Sequence, residues 1–139
     1  MHDHTDLLVL PMREDLTKIG FIELKTAEEA KYFFENEKRT VLLVVNSVCG
    51  CAAGNARPAV KLAVNSKIKP EVLATVFAGQ DREATQTARS YFPEYEPSSP
   101  SMVLLKDGKA VFMLGRDKIE GRNAEEISKD LIEAFEKYF

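Results

Sequence analysis

Cys49 and Cys51 are the chain's two cysteines, and a single glycine separates them. A disulfide between them would close a loop of one residue, so it would remove little entropy from the unfolded chain and staple almost nothing. Thiols this close, in a chain without secretory signals, read instead as catalytic or metal-binding. Gly50 suits a one-residue bridge because it adopts unusual backbone angles at low cost. A strained bridge is also easier to reduce.

The neighbouring residues say where these thiols must sit. Val41 to Val45 is an unbroken branched aliphatic run, the pattern of a strand buried on both faces, and it leads into Asn46, Ser47 and Val48. Ala52 to Val64 is apolar nearly all round, which predicts a helix packed on a sheet with a kink at Pro58. A strand that turns into a helix places Cys49 at the carboxyl edge of the sheet, beside a helix N-terminus. Free amides and the helix dipole there can pull a thiol from about 8.5 into roughly the 3.5 to 7.5 range. Cys49 is therefore the expected attacking thiolate, with Cys51 as the resolving thiol.

The pair is open to other uses. Free cysteines are often plain core residues. With His2 and His4 they would supply the four ligands of a zinc site, but those histidines lie at the terminus and neither pair has structural-zinc spacing. No metal is assigned on this reading. With those two as the chain's complement of histidines, a Cys-His hydrolytic dyad is also poorly supplied.

Charge singles out the same segment. Between Asn46 and Pro70 the charged residues are Arg57, Lys61, Lys67 and Lys69, all basic, in a chain with 19 Lys and Arg against 22 Asp and Glu. A locally positive helix favours thiolate and attracts an anionic substrate. Arg57, within two turns of Cys49, is the leading recognition candidate, and Lys61 is second. Lys67 and Lys69 read equally well as a solvated face.

The remaining elements alternate. Thr26, Ala27, Glu28, Glu29 reads as a capping box opening a helix to about Asn36, with Ala30, Phe33 and Phe34 as its apolar stripe. Val72 to Phe77 is a second buried strand, and Asp81 can cap a helix to about Tyr91. Three prolines between Phe92 and Ser101 mark a loop. Asp107-Gly108 then signals a hairpin between Met102–Leu105 and Ala110–Leu114. Asn123 to Glu126 opens a terminal amphipathic helix carrying Ile127, Leu131, Phe135 and Tyr138.

With 139 residues, one domain is expected at 21–139, preceded by an extension at 1–20 that holds at most a short helix after Pro11. The net charge of -3 argues against a dedicated nucleic-acid binder. The aliphatic runs are far shorter than a membrane span, and no signal peptide is visible, so the expected location is cytoplasmic.

The run Val41–Val45 followed by Asn46, Ser47, Val48, Cys49, Gly50, Cys51, Ala52, Ala53, Gly54, Asn55, Ala56, Arg57, Pro58, Ala59 resembles the signature of the bacilliredoxin family of thioredoxin-like proteins. Ser99, Pro100, Ser101 ahead of the hairpin resembles the thioredoxin-fold segment whose cis-proline faces the active cysteines. The resemblance runs from about Pro11 to the C-terminus, and it departs from ordinary thioredoxin in its Cys-Gly-Cys spacing and lack of Trp.

It implies an α/β thioredoxin-like fold, a central mixed sheet flanked by helices on both faces. The implied activity is thiol-disulfide exchange that removes bacillithiol from mixed disulfides on oxidised proteins, with no organic cofactor and bacillithiol as thiol co-substrate. Implied partners are bacillithiolated or oxidised client proteins and a low-molecular-weight thiol, with no nucleic acid and no membrane. Cys49 and Cys51 would be catalytic. Asn46, Arg57, Lys61, Ser99 and Pro100 would bind substrate. A general protein disulfide isomerase using the same Cys49, or a zinc or copper binding protein using both cysteines, are the competing readings.

Overall fold

The computed structural model describes residues 4–139. Its centre is a five-stranded mixed sheet in the order β1-β3-β2-β4-β5. The aliphatic runs form β2 (Val41–Asn46) and β3 (Val72–Phe77), paired in parallel with Leu43 opposite Ala74. On the other side of β2 runs antiparallel β4 (Ser101–Lys106), with Leu43 opposite Val103. The hairpin to β5 (Lys109–Leu114) turns through Asp107 at φ 53° and Gly108 at φ 78°, the left-handed pair that a two-residue turn requires. The edge strand β1 (Ile22–Glu23) is two residues long, too short for any periodicity to reveal.

Side chains alternate across the sheet, so β2 feeds two cores at once. Leu42 and Val44 pack with α3 (Arg57–Ala63), α5 (Ala124–Tyr138) and Leu16 of α1 (His4–Thr17). Val41, Leu43 and Val45 pack against α2 (Ala27–Asn36) and α4 (Arg82–Arg89) on the opposite face. Both capping boxes are formed. Thr26 accepts the Glu29 amide while Glu29 accepts the Thr26 amide, and Asn123 and Glu126 do the same for α5.

Three local expectations are corrected. The first helix begins before Pro11 and runs through it, and it is anchored by buried Val9 and Leu16. The second concerns Pro58, which does not kink one continuous α-helix. A π-turn (Ala52–Ala56) precedes α3, in which the Arg57 amide reaches back five residues to the Ala52 carbonyl, and Pro58 falls in the first turn of α3. There its missing N–H costs nothing. Third, Asp81 stands at the start of α4 without capping it, because its carboxylate is taken by Arg13 of α1, at 2.6 and 3.1 Å.

Candidate active site

The cysteines lie in the turn that leaves the carboxyl end of β2. Both are free thiols and both are half-buried, between exposed Val48 and Gly50 and the buried Ala52. Their sulfurs stand 2.6 Å apart, already close to the bonding separation of about 2.0 Å. The turn is locally tied. The Cys49 carbonyl accepts the amides of Ala52 and Ala53, and the Cys49 amide donates to the Ser47 hydroxyl at 3.1 Å.

These surroundings split the two thiols. Burial alone would push Cys49 up, but it is outweighed by hydrogen bonds onto its sulfur from the Cys51 thiol, the Ala52 amide, the Ser47 hydroxyl and the Cys51 amide, so Cys49 is the more acidic. Cys51 is pushed up by burial, by its hydrogen bond to Cys49, by the charge Cys49 carries and by the Glu120 carboxylate, with Arg116 opposing the shift. In reduced protein, one thiol should therefore alkylate at a pH below the ordinary thiol range and the other above it. In Cys49→Ser protein the Cys51 midpoint should move down, since two of its four upward pushes come from Cys49. A Cys51 midpoint that stays put would show that burial and Glu120, not Cys49, set it.

The residues expected to bind substrate fall in two groups: Asn46, Arg57 and Lys61, linked by hydrogen bonds and through Asp15, and Ser99 with Pro100 in the loop before β4. Arg57 is 3% exposed, and its guanidinium is committed inward. Nε donates to Asp15 Oδ2 at 3.0 Å, and Nη1 donates to Asn46 Oδ1 at 2.9 Å and to the Ser47 carbonyl at 3.0 Å. It is not presented to a substrate carboxylate, contrary to the expectation from the local positive charge. Asn46 is 2% exposed and equally occupied: its Nδ2 donates to the Met12 carbonyl, and its Oδ1 accepts from Arg57 and the Ser47 amide. Lys61 pairs with Asp15 at 3.3 Å and lines a cleft with Ile19, Lys69 and Val72, at the end of the parallel strands away from the cysteines.

Ser99 is half-buried and Pro100 buried, and the bond between them is cis, as the resemblance implied. The loop is fixed through Ser98, whose carbonyl accepts from Arg89 and from the Ser101 hydroxyl. The Ser98 hydroxyl accepts the Arg116 amide at 3.1 Å. This contact ties the turn Arg116–Lys118 to the proline loop. A Cβ at Gly115 would stand 3.2 Å from the Ser98 hydroxyl, so the approach favours glycine.

Arg116 is the cation the sequence reading missed. Nearly half exposed, it is held by Glu120 at 2.9 Å, and after Glu120 the charges that act on it most are those of Cys51 and Cys49. The same segment touches the active-site helix, since Asn55 donates to the Arg122 carbonyl. Nothing in the sequence marks Arg116 except its position after the hairpin.

Of the histidines weighed as metal ligands, His2 and the side chain of His4 lie outside the described residues. Among the described residues no three His, Cys, Asp or Glu side chains are grouped to hold a metal ion. No described helix is long and apolar enough to cross a membrane.

Comparison with known proteins gives this geometry a family. A family described as disulphide isomerase matches residues 4–139. A bacilliredoxin of Bacillus licheniformis is 57% identical over 132 residues, covering 94% of this chain and 92% of its own length. The chain belongs to the bacilliredoxin family. A bacilliredoxin of Symbiobacterium thermophilum is 53% identical over 123 residues, 88% of this chain and 87% of its own. Thioredoxins share the fold. That of Fasciola hepatica superposes with a TM-score of 0.54 at 24% identity, over 84% of this chain and 98% of its own. One from Schistosoma mansoni gives 0.55 at 19%, with the same coverage. The protein is thus a thiol-disulfide oxidoreductase of thioredoxin-like fold.

Proposed function

We propose that the protein removes bacillithiol from mixed disulfides on oxidised client proteins. The observation that carries the reading is a pair of free thiols in contact, one made acidic and the other not, in a member of this family. The Cys49 thiolate attacks the bacillithiol sulfur of a client mixed disulfide; the new sulfur-sulfur bond forms as the old one breaks, and the client leaves as thiolate. Cys51, once deprotonated, attacks the Cys49 sulfur, expels bacillithiol as its thiolate and leaves an internal disulfide. Alternatively a second bacillithiol attacks the bound one, producing bacillithiol disulfide and restoring the Cys49 thiolate. In either case the mixed disulfide gains two electrons, one at the client sulfur and one at the bacillithiol sulfur. They come from the enzyme's dithiol, which a thiol reductant must renew, or from the bacillithiol pair.

Bacillithiol carries malate carboxylates, which the family's substrate implies. With Arg57 buried and paired, Arg116 is the cation suited to receive them, because a guanidinium can meet a carboxylate through two parallel hydrogen bonds. Asp15 and Glu120 hold Lys61 and Arg116 respectively, so a carboxylate ligand would compete with Glu120. Ser99, beside Pro100, remains the backbone partner proposed for the bound thiol or peptide. A reducing compartment such as the cytoplasm fits the chemistry.

The deciding experiment exposes Cys51→Ser protein to a bacillithiolated client and weighs the product. A bacillithiol adduct on Cys49 is expected. A mixed disulfide with the client itself would instead favour the isomerase reading, to which the matching family's description points.

A further inference from the structure

The buried Arg57 joins the first helix to the reactive turn by an unbroken chain of hydrogen bonds. Asp15 on α1 holds Nε, and Nη1 grips Asn46 Oδ1 and the Ser47 carbonyl. Asn46 is itself fixed to α1 through the Met12 carbonyl, and its Oδ1 also accepts the Ser47 amide at 2.9 Å. Ser47 is therefore held at its carbonyl and at its amide. Its hydroxyl accepts the Cys49 amide, which leaves the hydroxyl hydrogen available to the Cys49 sulfur. An ammonium could not replace this arrangement, because the planar fork supplies donors in fixed directions toward Asp15 on one side and the turn on the other.

We propose that Arg57 is a positioning residue for the exchange reaction: by clamping Asn46 and Ser47 to helix α1 it keeps the Ser47 hydroxyl on Cys49, and so keeps the attacking sulfur reactive. The proposal rests on Cys49 as the attacking thiol but not on the identity of the small thiol it removes. The other groups around that sulfur are Cys51 on the same turn and Arg116 with Glu120 from the segment after β5. Arg89 of α4 is engaged with the Ser98 carbonyl, and Asp15 shares its carboxylate between Arg57 and Lys61. Of these only Cys51 is altered below, and it is replaced identically in every protein compared.

In a Cys51→Ser background, the rate of iodoacetamide alkylation of Cys49 is followed against pH for Ser47→Ala, Arg57→Lys and the double variant, with melting temperatures measured alongside. Each single variant should move the midpoint upward and slow alkylation below it by roughly tenfold, the low end of what losing a hydrogen bond to a charged acceptor gives. The double variant should be no slower than the slower single one, since both changes break the same chain. Should Arg57→Lys not fold, Arg57→Gln, which leaves no unpaired ammonium inside, takes its place. A folded Arg57 variant with a lower melting temperature and an unmoved midpoint would overturn the proposal. So would an unmoved midpoint in Ser47→Ala, or effects that add in the double variant. Alkylation needs no bacillithiol, so these outcomes are separate from success or failure of the adduct experiment.

Discussion

Cys49→Ser protein is expected to show exchange at the uncatalysed background, whereas Cys51→Ser protein should release a burst of about one equivalent of reduced client and then stall. The asymmetry follows from the turn. The Cys51 thiol in contact with it and the nearby Ala52 amide, Ser47 hydroxyl and Cys51 amide favour the Cys49 thiolate, while burial and its neighbour hold Cys51 protonated. Thiolate, not thiol, is the nucleophile, so the first attack belongs to Cys49. Cys51 gains its turn only after Cys49 enters a mixed disulfide, because the charge and hydrogen bond that raised it are then gone. Adding free bacillithiol should restart the stalled Cys51→Ser variant. Rapid client release by Cys49→Ser protein would reverse the two roles.

The second large effect concerns selection of the leaving thiol. Arg116→Gln should lower efficiency toward a bacillithiolated client by roughly tenfold, allowing for the solvent exposure of the side chain. The same client carrying 2-mercaptoethanol, which has no carboxylate, should lose much less. Glu120→Gln should act in the opposite sense, since it removes the carboxylate with which the substrate competes. Equal losses on both clients, together with a higher pH midpoint for Cys49, would make Arg116 an electrostatic activator and defeat its role in recognition.

The parts of the molecule that were legible in the sequence are those governed by local rules. The aliphatic runs of β2 and β3, the Asp107-Gly108 turn and both capping boxes depend on residues a few positions apart, and each formed as read. The site was legible only where it is local. Cys49 and Cys51 sit beside Ser47 whatever the rest of the chain does. Arg57 was misread because charge is ordinarily a surface property, and only the folded chain brings Asp15, 42 positions away, to neutralise it inside. Arg116 was overlooked for the converse reason: its relation to the thiols is made by the Ser98 contact and by the return of the chain after β5. Pro11 misled because it falls within α1, where burial of Val9 and Leu16 outweighs the local preference against proline.

The π-turn after the cysteines has a bearing on how relatives of different length should align. Because the Arg57 amide bonds five residues back instead of four, the segment Ala52–Ala56 holds one residue more than an α-helical turn needs. That surplus can be removed without altering the strand before it or the register in which Ala59, Val60 and Ala63 meet the sheet. Natural insertions and deletions of a single residue should therefore gather between positions 52 and 56 and be rare in the remainder of the helix. A homologue one residue shorter there would carry an ordinary α-turn, with its second cysteine rotated relative to the first.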